Sequence, residues 1–182
     1  MMEFLHMLEK MKCNTRHSWT SNGRQESVAD HSWRLAVMAL LLRESFPGAD
    51  MDRVIRMCLI HDWGEAVTGD IPAFQKNDGH RAVEARAVEG LLSRLPETER
   101  GELTALFAEM EALESREARI YKALDRLEAV IQHNEAPLES WLPLERELNR
   151  TYGVGECSRE PLLRELRDLA LEETEEKLEG TD

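Results

Sequence analysis

The chain has 182 residues, with 36 acidic and 23 basic side chains and a formal net charge of −13. That length suits one domain with a sizeable core, and 42% hydrophobic with 32% charged residues is a globular rather than a disordered composition. The acidic balance argues against polymeric nucleic acid and anionic membrane surfaces as partners, since both call for a basic footprint.

The first twelve residues, MMEFLHMLEKMK, lack the basic stretch and the small-residue cleavage site of a secretory signal. Phe4, Leu5, Leu8 and Met11 recur at helical spacing and predict an amphipathic first helix. A second helix is expected over 27–46, with Ser27 as its cap and Asp30 at the third helical position. Its segment 35–42 is apolar all round, which marks a central, buried helix, and Pro47-Gly48 stops it. Asp50 or Asp52 caps a third helix through VIRMCLIHDWGEA, and TGDIPAFQKNDG (68–79) reads as a loop. Helices follow over 80–95, from Pro96 to roughly Leu113, over 116–134, and roughly over 138–151 and 160–179. The acidic end, LEETEEKLEGTD, reads as a solvated, fraying helix terminus.

No segment alternates with period two, so no strand is expected. No apolar run approaches the ~18 residues of a membrane span. Cys13, Cys58 and Cys157 form no CxxC pair, and this odd, unpatterned set fits a reducing cytoplasm, with Cys58 a buried thiol. The expected fold is therefore all-α: one domain over 1–182 with about seven or eight helices.

The charge is uneven. Residues 1–80 carry a net of −2 and residues 81–182 a net of −11, while five of the six histidines lie in the near-neutral part. Three polar pieces there and beyond stand among apolar neighbours: Asp30-His31, His61-Asp62 directly after MCLI, and Asp125 within KALDRLEA. A buried carboxylate needs a cation or a hydrogen-bond network. Two imidazoles (His31, His61) and two carboxylates (Asp62, Asp125), converging from packed helices, would make a mixed nitrogen and oxygen site for one divalent ion. Mn, Co, Fe, Ni and Zn all suit such a set.

That joint pattern resembles the HD-domain metal-dependent phosphohydrolases. ESVADHSWRLA (26–36), LIHDWGEAVTGDIP (59–72) and EARIYKALDRLEAVIQ (117–132) are similar to the branch that contains the bacterial 5′-deoxynucleotidases and their eukaryotic relatives. TRHSW (15–19), Lys76, Glu84 and FAEMEALES (107–115) follow that branch's pattern as well. The likeness covers residues 4 to about 135.

The resemblance implies that His31, His61, Asp62 and Asp125 are the metal ligands and that Glu65 positions or activates the attacking water. Glu65 lies four residues after His61 and three after Asp62, a spacing that puts all three near one face of a continuous helix. The resemblance also implies that Asp70 faces the substrate, that Arg16 contacts the phosphate or sugar, that Trp19 packs near the sugar, and that Lys76 contacts the phosphate. A homodimer acting on a small deoxynucleotide in the cytoplasm is implied likewise. Two departures bear on substrate choice. Ser18 replaces the glycine usual before the tryptophan, and Met110 stands where a tyrosine is common. The ligand set alone leaves three readings open: a phosphomonoesterase, which the flanking motifs favour; a phosphodiesterase or triphosphohydrolase; and a catalytically idle nucleotide-binding module.

Overall fold

In the computed structural model, which describes residues 1–180, the chain begins with α1 (Met2–Leu8) and α2 (Lys10–Cys13), followed by β1 (Thr15–Trp19) and β2 (Gln25–Ser27). The remaining helices are α3 (Val28–Leu41), α4 (Met51–Ile60), α5 (Glu65–Thr68), α6 (Asp78–Leu92), α7 (Glu97–Ala112), α8 (Arg116–Glu135), α9 (Pro143–Thr151), α10 (Val154–Cys157) and α11 (Pro161–Glu179). Eight of the helices among the described residues have seven residues or more, so the all-α expectation holds. Thr181 and Asp182, the end of the acidic terminus, lie outside the described residues.

The strands correct the expectation of none. β1 and β2 pair antiparallel, Thr15 opposite Ser27 and Trp19 opposite Gln25, around a turn in which Gly23 holds a φ of 80°. Five and three residues are too few for a period-two signal, and the register is irregular between Thr15 and Trp19.

Capping chemistry sets several boundaries. The Ser27 hydroxyl accepts from the Asp30 N–H while the Asp30 carboxylate accepts from the Ser27 N–H, so a shorter acid completes the reciprocal box that opens α3. Asp50, not Asp52, caps α4 by accepting from the Arg53 N–H. Asn77 caps α6, which therefore starts two residues earlier than the periodicity suggests. Ser115 caps α8 by accepting from the Ala118 N–H. Residues 138–140 form only a 3-10 turn, and α9 begins at Pro143, whose fixed φ suits a first helical position.

The core centres on α3, α4 and α8. Leu35, Val54, Met57, Cys58, Leu124 and Leu127 are fully buried where these helices meet, and α10 and α11 cover α8 from outside. Segment 35–42 departs from the expectation of burial all round. Leu35, Ala36 and Ala39 face the core, but Leu40 and Leu41 are 53% and 77% exposed, and Trp33 is exposed on the same helix. Similarly, Phe4 of α1 and Met11 of α2 are buried while Leu5 is half exposed.

One break matters for the site. The predicted helix through VIRMCLIHDWGEA stops at Ile60, turns through 61–64, and restarts as α5. The turn presses against α6 at Gly64, where a Cβ would lie 2.6 Å from Glu84 Cγ and 3.1 Å from the Glu84 carbonyl oxygen. Only glycine allows that approach.

Candidate metal centre

His31 projects from the first turn of α3, His61 and Asp62 from the turn after α4, and Asp125 from the middle of α8. The α3–α4–α8 core brings all four together. The Nε2 atoms of His31 and His61 lie 3.2 Å apart. Asp125 Oδ1 is 3.2 Å from His31 Nε2 and 3.7 Å from His61 Nε2. Asp62 Oδ2 is 2.9 Å from His61 Nε2 and 3.9 Å from His31 Nε2.

The outer edges of both imidazoles are fixed. His31 Nδ1–H donates to Glu128, and His61 Nδ1–H donates to the Cys58 carbonyl at 3.0 Å. That tautomer turns two Nε2 lone pairs toward each other and toward two carboxylate oxygens. Four electron-rich atoms so close repel unless a cation lies between them, and an acceptor behind each imidazole is the usual support of a metal-bound histidine. The donor set therefore fits a divalent ion.

The field of the cluster agrees. Burial disfavours charge on Asp62, but the adjacent His61 imidazole outweighs it and holds the carboxyl below its usual range. Burial works against Asp125 in the same way, and Lys122, which donates to Oδ2 at 2.8 Å, holds it well down. Burial and Arg16 oppose a charge on His31, yet Glu128 and Asp125 raise it to about 10. A site so rich in ionised carboxylate draws positive charge, as a proton on His31 where no metal cation supplies it.

A solvent-open cleft lies over this cluster. Glu65 lines it despite the break in the helix. The residue is 3% exposed, and Oε2 has no hydrogen-bond partner. Burial, then Asp62 and Asp70, push its pKa up to about 9 against the pull of Lys76 at 3.5 Å. Lys76 is also in the cleft and lies 2.5 Å from Glu84. Asp70, whose pKa burial raises against Arg16, lines the same space.

Arg16 enters the cleft from β1. Its Nε is 3.5 Å from Glu26 and its Nη1 3.9 Å from Glu128, but Nη1 is buried without a hydrogen-bond partner. A buried guanidinium N–H with no acceptor is costly unless a ligand supplies one. Trp19 does not reach the cleft. It closes β1, its carbonyl accepts from Gln132 Nε2 at 2.7 Å, and its ring is not among the lining side chains. Ser18 lines a neighbouring cavity, with its hydroxyl 3.3 Å from His133 Nδ1. Met110 packs in the main core.

Sequence reasoning missed Glu128, Arg34 and Glu26. Glu128 is fully buried, accepts from His31 and from Arg34 Nε at 2.7 Å, and is lowered to about 2 because these cations outweigh its burial, His31 foremost. Its position three residues after Asp125, on the same helical face, was the available signal. Glu26 is 1% exposed and raised to about 7 by burial, with Arg16 opposing.

The chain is similar to known proteins in both sequence and fold. Residues 8–166 match the family model described as "HD domain". The human protein named 5′-deoxynucleotidase HDDC2 is 36% identical over 140 residues, covering 74% of this chain and 67% of that protein. The fission yeast protein 5′-deoxynucleotidase hdd1 is 27% identical over 182 residues, covering 95% and 89%. The crystal structure of a predicted metal-dependent phosphohydrolase from Magnetospirillum magnetotacticum superposes with a TM-score of 0.85 at 30% identity, covering 97% and 91%.

Proposed function

Because the chain belongs to the HD-domain family of metal-dependent phosphohydrolases, we propose that it is a phosphomonoesterase converting 5′-deoxynucleoside monophosphates to deoxynucleoside and phosphate. The observation that carries the reading is the convergence of His31, His61, Asp62 and Asp125 beside Arg16 Nη1 and Glu65 Oε2, both buried without a hydrogen bond, in one cleft. The names of the relatives supply the substrate class.

His31, His61, Asp62 and Asp125 would hold the ion, which would supply Lewis-acid neutralisation of charge on the phosphoryl group. Arg16 donates to a phosphate oxygen through Nη1 and is held in place by Glu26 and Glu128. Glu65 takes the proton of the attacking water at Oε2. Burial raises its pKa, and Lys76 at 3.5 Å, together with a cation held by the neighbouring ligands, would favour the ionised form that accepts the proton. Asp70, shared by the cleft and the cavity next to it, orients the sugar between phosphate and base. We further propose a homodimer of the cytoplasm. Leu5 on α1 and Trp33, Leu40 and Leu41 on α3 supply exposed apolar area for the contact, and sedimentation of the purified chain tests it.

The test of the activity is phosphate release from dAMP across a series of Mn, Co, Fe, Ni and Zn, with AMP, cyclic nucleotides and dNTPs alongside. Chelator-sensitive release from dAMP supports the reading. Pyrophosphate or tripolyphosphate as product reassigns the reaction, and no turnover of any monophosphate with any metal refutes it.

A further inference from the structure

A second, solvent-open cavity adjoins the cleft and shares Arg16, Asp70, Ala73, Phe74, Leu148 and Tyr152 with it. We infer that this cavity is a nucleobase subsite, walled by Phe74, Leu148 and Tyr152 and edged by His17, so that α9 and the segment after it set base preference. The inference rests on the deoxynucleotidase reading and deepens it.

Continuity comes first. A phosphate held at the metal cluster and Arg16 carries its sugar past Asp70, and the group on the sugar then enters the adjoining space. The chemistry of that space suits a flat, largely apolar ring with a polar edge. Glu145, the acidic group added by α9, is 3% exposed and already satisfied. It accepts from His17 Nε2 and His133 Nε2, each at 3.1 Å, and from the Leu142 N–H at 2.6 Å. Asn149 is equally committed, donating to Asn134 and Thr174. His133 Nδ1 is paired with Ser18. With Nε2 bonded to Glu145, His17 retains Nδ1 as an acceptor for a base N–H, and its ring stands edge-on to Phe74 at 6.2 Å. A second phosphate is a poor occupant, because Asp70 faces it and Arg16, the cation shared with the cleft, is committed to the first.

The experiment measures kcat/KM for dAMP, dGMP, dCMP and dTMP against 2-deoxyribose 5-phosphate, the substrate without a base. The proteins are the wild type, Ala129→Phe, which fills the cavity from α8, and His17→Ala, which removes the polar edge. For Ala129→Phe the expected result is a loss of about 10-fold or more on the nucleotides, mainly through KM, with the sugar phosphate changed less than about 3-fold. For His17→Ala the order of preference among the four bases changes while the sugar phosphate is unaffected. Should Ala129→Phe fail to fold, His17→Ala carries the test alone. Equal effects on nucleotides and sugar phosphate, or none on either, overturn the subsite and leave the phosphomonoesterase standing. No wild-type turnover of any of the five removes both.

Discussion

Replacing Glu128 by glutamine tests the reasoning about the metal centre at its most buried point. The carboxylate accepts from His31 on one oxygen and from Arg34 on the other, at full burial. Glutamine keeps the shape but has one acceptor oxygen and one NH₂ group, so its NH₂ must meet either an imidazole N–H or a guanidinium N–H. Keeping the Arg34 bond forces His31 into the other tautomer, with its proton on the Nε2 that faces His61, Asp62 and Asp125. Metal affinity is then expected to fall about 10–100-fold, or roughly 1.4–2.7 kcal/mol. Loss of the charge beside Arg16 and Arg34 costs about 3–5 kcal/mol of stability, which for a chain of this size lowers Tm by roughly 6–20 °C. Chelator-competition titration gives the affinity, and melting with and without metal separates the two effects. A Glu128→Gln protein that binds metal as the wild type does, with unchanged kcat, refutes the orienting role.

Glu65→Gln is expected to lower kcat by about 10²–10⁴ while metal binding and KM stay near wild type, checked by single-turnover phosphate release with a parallel metal titration. Arg16→Lys removes the planar donor and should lower kcat/KM by about 10–100-fold on every monophosphate alike, read from steady-state kinetics. Gly64→Ala places a Cβ against Glu84 and should cost about 1–3 kcal/mol, visible as a lower midpoint in urea. Glu128 is held at about 2, below its ordinary 4.5, so its stabilisation is present above the ordinary value and is lost as pH falls toward 2. Melting of the chelated protein between pH 5 and about 2 should therefore decline more steeply in the wild type than in Glu128→Gln.

The longer helices were legible because their apolar residues recur at helical spacing, and the four converging residues because each stands as a polar group within such a segment or directly after one. Ser27, with Asp30 three residues on, gave the start of α3 for the same local reason. What spacing hid was tertiary. The break at His61–Gly64 depends on contact with α6, which lies twenty residues on, and a continuous helix reads equally well from the letters. The pairing of β1 and β2 is too short to leave a pattern. Leu40 and Leu41 are as apolar as their buried neighbours, so only the packing partners reveal which side of α3 is open. Glu128 looks like any charged helix residue until His31, nearly a hundred positions away, is placed against it.

A single helix, α8, carries successive parts of the site. Asp125 stands with the imidazoles, Glu128 behind His31, Ala129 in the wall of the second cavity, Gln132 against the Trp19 carbonyl and His133 beside Glu145. These contacts fall within three turns of the best-buried segment in the molecule. Uncoupling Asp125 and His31 from the strand or from the second cavity therefore means unwinding the core, and amide exchange along α8 should proceed only through global opening. Evolution of new substrates in this scaffold is left to positions that carry no such bond, chiefly the apolar wall residues Phe74, Leu148 and Tyr152, which can vary without disturbing the centre.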